Sequence, residues 1–328
     1  MISDIRIYES PYFDPYINLA IEKQIMDTTP VGVCVLYLWQ NQNTVVIGRN
    51  QNAWLECRTS LLAEENGVLA RRLSGGGAVF HDLGNLNFTF MMRKEDYDLD
   101  KQLSVIQTAC AFAGIQAEKS GRNDLLANGR KFSGNAFYQN QTHAYHHGTL
   151  MVDVEIDKLG RYLSPPKAKL AAKGVASVRS RVVNLKELAP ELTIEIMKQH
   201  MIRAFCNVYG MQAERIHLAD KDMAAIEALR TEYASWDYIY GAPLPFTFQC
   251  DGHFSWGNVQ LQLSAKEGII HGVKFYSDSM DWTISEIIQN ALTGCRFETN
   301  AMKDALKSAP FATEIRKDLF LLLDEQSL

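Results

Sequence analysis

The chain has 328 residues, 47% of them hydrophobic, with a formal net charge of −5 and a pI near 5.9. That length outgrows one ordinary core and predicts two domains, while the acidic balance, without a basic tail or stripe, excludes bulk nucleic-acid binding and docking on anionic membranes. The N-terminus MISDIRIYESPYFDP has no basic-then-apolar leader, no run nears about 18 unbroken apolar residues, and six widely spaced cysteines form no CxxC, so a cytoplasmic protein with reduced, buried thiols is expected.

Asp14 and Pro15 read as N-cap and first helical position, and Ile17, Ile21 and Ile25 extend an amphipathic helix to about Asp27. VCVLYLWQ (33–40) and TVVIGR (44–49) read as strands separated by a turn at Asn41 to Asn43. A helix over 60–66 stops at Gly67, and VLARR returns to strand. Leu103, Ile106, Cys110 and Ala113 put a helix over 101–113, ended by Gly114; Thr193 to Tyr209, closed by Gly210, repeats the pattern, and Asp220 to Tyr233 continues it. GAPLPF (241–246) reads as a linker. Three alternating runs then precede helical patterns over Ile284 to Leu292 and Glu314 to Asp324. Hairpins dominate and regular βαβ alternation is absent, which predicts an α+β fold with a mixed, largely antiparallel sheet, in domains 1–245 and 246–328.

Four segments carry candidate chemistry. RRLSGGGAVFHDLGNLNFTF (71–90) sets Arg71 and Arg72 before Gly75, Gly76 and Gly77, whose missing Cβ atoms allow φ > 0 and close approach of a ligand. On a strand only one of the two arginines can aim into a given site. The glycines lead into strand rather than helix and lack a Gly-Lys-Ser/Thr step, which excludes Rossmann and P-loop readings. In LLANGRKFSG an Asn-Gly turn places Lys131 beside Ser133 and Gly134, with Ala136 beyond, small residues that clear space around the ammonium. In HAYHHGTL, His146 and His147 face opposite ways and cannot share an ion, so one imidazole is pocket-facing or simply structural. LAAKGVASVRSRVVNL (170–185) interleaves Lys173, Arg179 and Arg181 with small residues, as a mobile or solvated basic loop. Together these supply several cations and close-approach backbones but no nucleophile with a base. That equipment suits a carboxylate and a nucleoside triphosphate held side by side, where catalysis is positioning and charge neutralisation. Such chemistry normally uses magnesium, for which Asp124 is a candidate ligand, or else a partner of the lysine.

In these motifs the chain resembles the lipoate-protein ligase A family of the biotin and lipoate ligase superfamily: RRLSGGGAVFHD, GRND, KFSGNA, HHGTL and AAKGVASVRSR stand in the family's order at similar spacing. The resemblance implies a class II synthetase-like catalytic domain with a small α+β C-terminal accessory domain. It implies lipoate and ATP as substrates, lipoyl-adenylate and pyrophosphate as products of the first half-reaction, and transfer to a lysine of lipoyl domains of 2-oxoacid dehydrogenase E2 subunits or of the glycine-cleavage carrier protein, by a monomer. Carried onto this chain, it makes Lys131 catalytic. It places nucleotide and adenylate on Arg72, Lys131 and the backbone of Gly77, Ala78, Val79 and Phe80. It places lipoate against Lys131, Arg72, Ser74, Gly77, His81, Trp39 and His147, with Val45, Ile47 and Val79 as further slot walls. It makes Lys173, Gly174, Ser177 and Arg179 part of a loop closing over the adenylate. Rival readings are an acyltransferase using a cysteine thioester, disfavoured because no cysteine lies between Cys110 and Cys206, an enzyme using preformed lipoyl nucleotide, and a non-catalytic lipoate-binding protein.

Overall fold

The computed structural model describes residues 1–121, 123–163, 181–241 and 246–326. An eight-stranded mixed sheet forms the frame of the larger unit, in the order β11-β1-β2-β6-β10-β9-β8-β7. Its strands are β1 (Asp4–Glu9), β2 (Val33–Trp39), β6 (Asn85–Arg93), β7 (Glu118–Ser120), β8 (Asp124–Ala127), β9 (Arg130–Gln139), β10 (His143–Met151) and β11 (Glu214–Arg215). β1 is parallel to β2 and β11, and the other pairs are antiparallel. Period-two alternation sorts the side chains. Cys34, Leu36, Leu38, Phe88 and Phe90 face the helices Leu99–Phe112 and Ile194–Tyr209, whereas Val35, Tyr37, Trp39, Met91 and Tyr145 face the helix Pro15–Thr28.

The helix termini follow local chemistry. Asp14 accepts from the N–H groups of Tyr16 and Ile17 ahead of Pro15, and Gly210 closes Ile194–Tyr209 at φ 69° in the left-handed region. The helices read from sequence at 60–66, 101–113 and 220–233 occur as Thr59–Glu64, Leu99–Phe112 and Asp220–Tyr233.

Two readings need correction. The strand at 44–49 is β3 (Thr44–Ile47), and it does not pair with β2. It lies between β4 (Val68–Arg71), parallel, and β5 (Val79–His81), antiparallel, in a separate three-stranded sheet. All seven residues of β2 are buried, and its two edges are taken by β1 and β6. The C-terminal unit also holds a helix that was not read from the sequence, Thr299–Lys307, which buries only Met302 and Leu306. That unit is the meander β12 (Phe248–Phe254), β13 (Gly257–Lys266), β14 (Ile269–Ser277), covered by Ile284–Leu292, Thr299–Lys307 and Thr313–Asp324 around a core of its own. No described helix is long and apolar enough to cross a membrane.

The turn that leads from β5 of the small sheet to β6 of the large one passes through Gly84, which is pressed against the backbone following β10: an added Cβ would lie 1.9 Å from Asp153 O and 2.3 Å from its carbonyl carbon. Backbone cannot step aside as a flexible side chain can. Gly84→Ala is therefore expected to lower the unfolding free energy by roughly 3 kcal/mol, read as a fall in the urea midpoint; an unchanged midpoint would contradict this packing.

Candidate active site

The cleft opens between the large sheet and the small three-stranded sheet of β3, β4 and β5. Its floor is the helix-facing side of the large sheet, through Trp39, Asn87, His147 and Thr149, and one wall is the glycine turn with Val46 and Val79.

Each of the three glycines answers a different constraint. At Gly75 an added Cβ would lie 2.4 Å from Ser279 O of the C-terminal unit, so the missing side chain admits that unit. Gly76 has φ +87° and gives its N–H to Ser279 O at 2.9 Å. At Gly77 an added Cβ would meet nothing within 4 Å, because this residue borders the open cleft. Neither the Gly77 nor the Ala78 N–H is taken by another described backbone group. Gly48, at the end of β3, completes the turn: a Cβ there would lie 2.2 Å from Gly76 O.

Arg71 and Arg72 separate as strand geometry requires. Arg71 turns away and donates to the carbonyls of Gly48, Arg49, Gln51, Tyr238 and Ile239. Arg72 turns toward the cleft, where Nε donates to Ser74 Oγ (3.0 Å), Nη1 to Val46 O (3.1 Å), and Nη2 to Gly75 O (2.7 Å) and Gly77 O (2.8 Å). Burial lowers both guanidinium pKa values to about 10, so both stay charged at neutral pH. Arg72 thus shapes the turn before it meets any ligand.

A bulge aims Lys131. Asn128 and Gly129, at φ 49° and 73°, make the hairpin turn. Leu125 then pairs with Ser133 and Leu126 with Lys131, which leaves Phe132 as an extra residue on β9. Phe132 and Ser133 are both fully buried away from the cleft, and Lys131 is carried onto the cleft face. Its ammonium lies over Gly134, where an added Cβ would be 3.1 Å from Nζ, and it pairs with Asp124 at 2.7 Å. The space around the ammonium is therefore provided by Gly134, with Ala136 further along the wall, and not by Ser133. The Lys131 backbone accepts from Val183 N–H at 2.9 Å, tying the chain that resumes at Arg181 to the site.

The two histidines divide as expected. His146 is buried among Phe88, Phe90 and Phe137, and His147 lines the cleft. His81 also lines it. Its Nδ1 faces the amide nitrogens of Asn41 (3.2 Å) and Asn87 (3.5 Å), which leaves the proton on Nε2, buried and without a partner among the described residues. Burial, with smaller contributions from Arg72 and His147, lowers its pKa to about 3. The imidazole is therefore a neutral donor whose buried Nε2–H no described group accepts.

Of the other candidates, Trp39, Ala78 and Val79 line the cleft, and Ser74 is fully buried behind it. Phe80 points the other way, its ring 5.4 Å from Tyr162, and pairs with Val45 in the small sheet. Val45 and Ile47 are not slot walls: both lie in the core behind β3, and the alternation that hides them brings Val46 to the cleft. Lys173, Gly174, Ser177 and Arg179 lie outside the described residues. Asp124 is committed to Lys131, and no cluster of three His, Cys, Asp or Glu able to hold a metal occurs among the described residues. A magnesium ion brought on nucleotide phosphates needs only one or two protein carboxylates.

Leu19, Asn87, Asn123, Asn135 and Thr149 also line the cleft and were not singled out from sequence. The readable signal was in NLNFTF, where polar Asn85, Asn87 and Thr89 recur at period two in a strand otherwise apolar; all three are buried.

Residues 14–206 match the family model of the lipoyl protein ligase A/B catalytic domain, and 244–322 that of the bacterial lipoate protein ligase C-terminus. Among solved structures, Plasmodium falciparum LipL1 in complex with lipoate is similar at 24% identity and a TM-score of 0.82, over 99% of this chain and 98% of that one. A bipartite lipoate protein ligase from Thermoplasma acidophilum, studied with its E2 lipoyl domain, is similar at 23% identity and 0.66, over 76% of this chain and all of that one. A lipoate-protein ligase A bound with ATP is similar at 23% and 0.64, over 74% and 99%. At these identities the likeness is one of fold.

His81 and His146 both have pKa values lowered from 6.5 to about 3, chiefly by burial. The unfolded chain therefore binds more protons between those values, so stability is complete above pH 6.5 and is lost as pH falls toward 3. The expected slope is about 1.4 kcal/mol per pH unit for each histidine, measured by urea unfolding between pH 6.5 and 5. A flat profile there would contradict neutral burial.

Proposed function

The chain belongs to the lipoyl protein ligase A/B family, a family of ligase enzymes, and from that premise we propose that it is an ATP-dependent lipoate-protein ligase. The single observation that carries this reading is the placement of Lys131: a bulge sets the one lysine among the described residues of the cleft wall on the same cleft as the glycine turn, over a glycine that leaves room beside its ammonium.

In the first half-reaction a lipoate carboxylate oxygen attacks the α-phosphorus of ATP, the bond to the β-phosphate oxygen breaks, and pyrophosphate leaves. The Lys131 ammonium exchanges Asp124 for the lipoate carboxyl and the α-phosphate, neutralising the charge that crowds there. The Gly77 and Ala78 N–H groups, held by the Arg72-clamped turn, face the phosphoryl oxygens, with Val79 continuing the wall. The acyl chain lies against Trp39 and Val79, and the His81 Nε2–H donates to an acceptor on the substrate. In the second half-reaction a lysine ε-amine attacks the acyl carbon; the amide forms, AMP leaves, and the amine loses its proton. A free carboxylate resists amines, whereas the mixed anhydride carries AMP as a leaving group whose charge the same cation stabilises.

On this reading the acceptors are lipoyl domains of 2-oxoacid dehydrogenase E2 subunits and the glycine-cleavage carrier protein, the enzyme works as a cytoplasmic monomer, and magnesium arrives on the triphosphate. The catalytic domain is 1–245 and the accessory domain 246–328.

Incubation with ATP, magnesium and lipoate and no acceptor is expected to yield lipoyl-adenylate and pyrophosphate, read by mass spectrometry. Their absence, with transfer from supplied lipoyl-adenylate intact, would make the enzyme a transferase. Lys131→Ala is expected to lose adenylate formation by roughly 100-fold or more while keeping the wild-type thermal midpoint; near-normal adenylate from that variant would overturn the assignment.

A further inference from the structure

Glu22, on the helix Pro15–Thr28, is 2% exposed and lies beneath the cleft rather than on its wall. Two chains of hydrogen bonds end on its Oε1. In one, Arg72 Nε–H donates to Ser74 Oγ (3.0 Å), the Ser74 hydroxyl to His147 Nε2 (2.8 Å), and His147 Nδ1–H to Glu22 (2.9 Å). In the other, Trp39 Nε1–H donates to Thr89 Oγ1 (3.1 Å) and the Thr89 hydroxyl to Glu22 (2.7 Å). A guanidinium and an indole can only donate and a carboxylate accepts, so Ser74 Oγ takes the Arg72 Nε–H, Thr89 Oγ1 takes the Trp39 indole N–H, and Glu22 takes the Thr89 hydroxyl and the His147 Nδ1–H. His147 bridges Glu22 and Ser74, with Nδ1 on Glu22 and Nε2 on Ser74 Oγ.

The contacts of Ser74, His147 and Glu22 have the lengths of a nucleophile, base and acid relay. Ser74 is nevertheless no nucleophile. It is fully buried, it is absent from the cleft wall, and its oxygen is occupied by the Arg72 Nε–H. What such a chain can do is hold its far end in place.

We propose that Glu22 is a positioning residue that sets both halves of the cleft at once. Through His147 and Ser74 it fixes the Arg72 guanidinium against the carbonyls of the glycine turn, and through Thr89 it fixes the Trp39 indole beside the acyl slot. What the two halves bind, nucleotide and lipoate, rests on the ligase reading above. Loss of the carboxylate strands two buried donors, and both substrates weaken from one substitution at a residue that touches neither.

The test is a long-range ¹H–¹⁵N correlation spectrum of the imidazoles of the full chain at neutral pH, with His147 assigned by comparison with His147→Gln. ATP and lipoate affinities are titrated separately. The wild type is expected in the Nδ1–H tautomer. Glu22→Ala is expected to lose that tautomer and to weaken ATP and lipoate each by roughly 10- to 100-fold, and Glu22→Gln, which keeps an acceptor oxygen, to recover most of both. Wild-type His147 with no proton on Nδ1 would overturn the proposal, as would a folded Glu22→Ala in which one affinity or neither falls. Should Glu22→Ala not fold, the wild-type spectrum still decides, together with Ser74→Ala, expected to weaken ATP alone, and Thr89→Val, expected to weaken lipoate alone. The spectrum needs no turnover, so a protein showing the Nδ1–H tautomer but forming no lipoyl-adenylate would retain the relay and overturn the ligase reading.

Discussion

A buried guanidinium has to give its N–H groups to acceptors or lose the solvation it gave up, and Arg72 does so with the carbonyls of Val46, Gly75 and Gly77 and the hydroxyl of Ser74. Three of these four acceptors are backbone atoms of the walls that bound the cleft. The cation therefore draws the end of β4, the middle of β3 and the glycine turn into one rigid body. The guanidinium takes the carbonyls of Gly75 and Gly77, while the Gly77 and Ala78 N–H groups bond to no described backbone group. A lysine could supply the charge but not the fork that spans these acceptors.

The same turn is gripped from outside. Ser279 O accepts from Gly76 N–H, Ser277 N–H donates to Asn50 O, the Asn50 amide donates to Trp282 O, and the Arg49 guanidinium lies 4.9 Å from the Trp282 ring centre. The C-terminal unit thus rests on the back of the wall whose front borders the cleft, with Trp282 also 4.8 Å from Tyr138 of β9. Gly75 makes this seating possible, since any side chain there would collide with Ser279. A run of three glycines is in this way divided among an outside contact, a left-handed turn and an open binding face.

Much of this was legible in the residues because it rests on local chemistry. Asp14-Pro15 and Gly210 are caps, Asn128-Gly129 is a hairpin turn, and alternation along a strand separated Arg71 from Arg72 and His146 from His147. What failed to show depends on register and on partners distant in the chain. Val45 and Ile47 were placed one residue out of phase with the cleft because β3 pairs with β4 and β5 and not with β2. Ser133 was read as a neighbour of the ammonium because a bulge at Phe132 cannot be seen in sequence. Glu22 carried no signal in the sequence; its burial follows from Thr89 and His147, which lie 67 and 125 residues away. Thr299–Lys307 has too few apolar residues for its periodicity to register.

The central claim is that Lys131 and the Arg72-clamped turn hold the two ends of one mixed anhydride. A crystal structure with a non-hydrolysable lipoyl-adenylate analogue tests it most directly. The predicted result is Lys131 Nζ released from Asp124 and within hydrogen-bond reach of both the acyl carbonyl and the phosphoryl group, the phosphoryl oxygens on the Gly77 and Ala78 N–H groups, and the acyl chain against Trp39. An analogue seated elsewhere, or one bound in the cleft while Lys131 stays paired with Asp124, would contradict it.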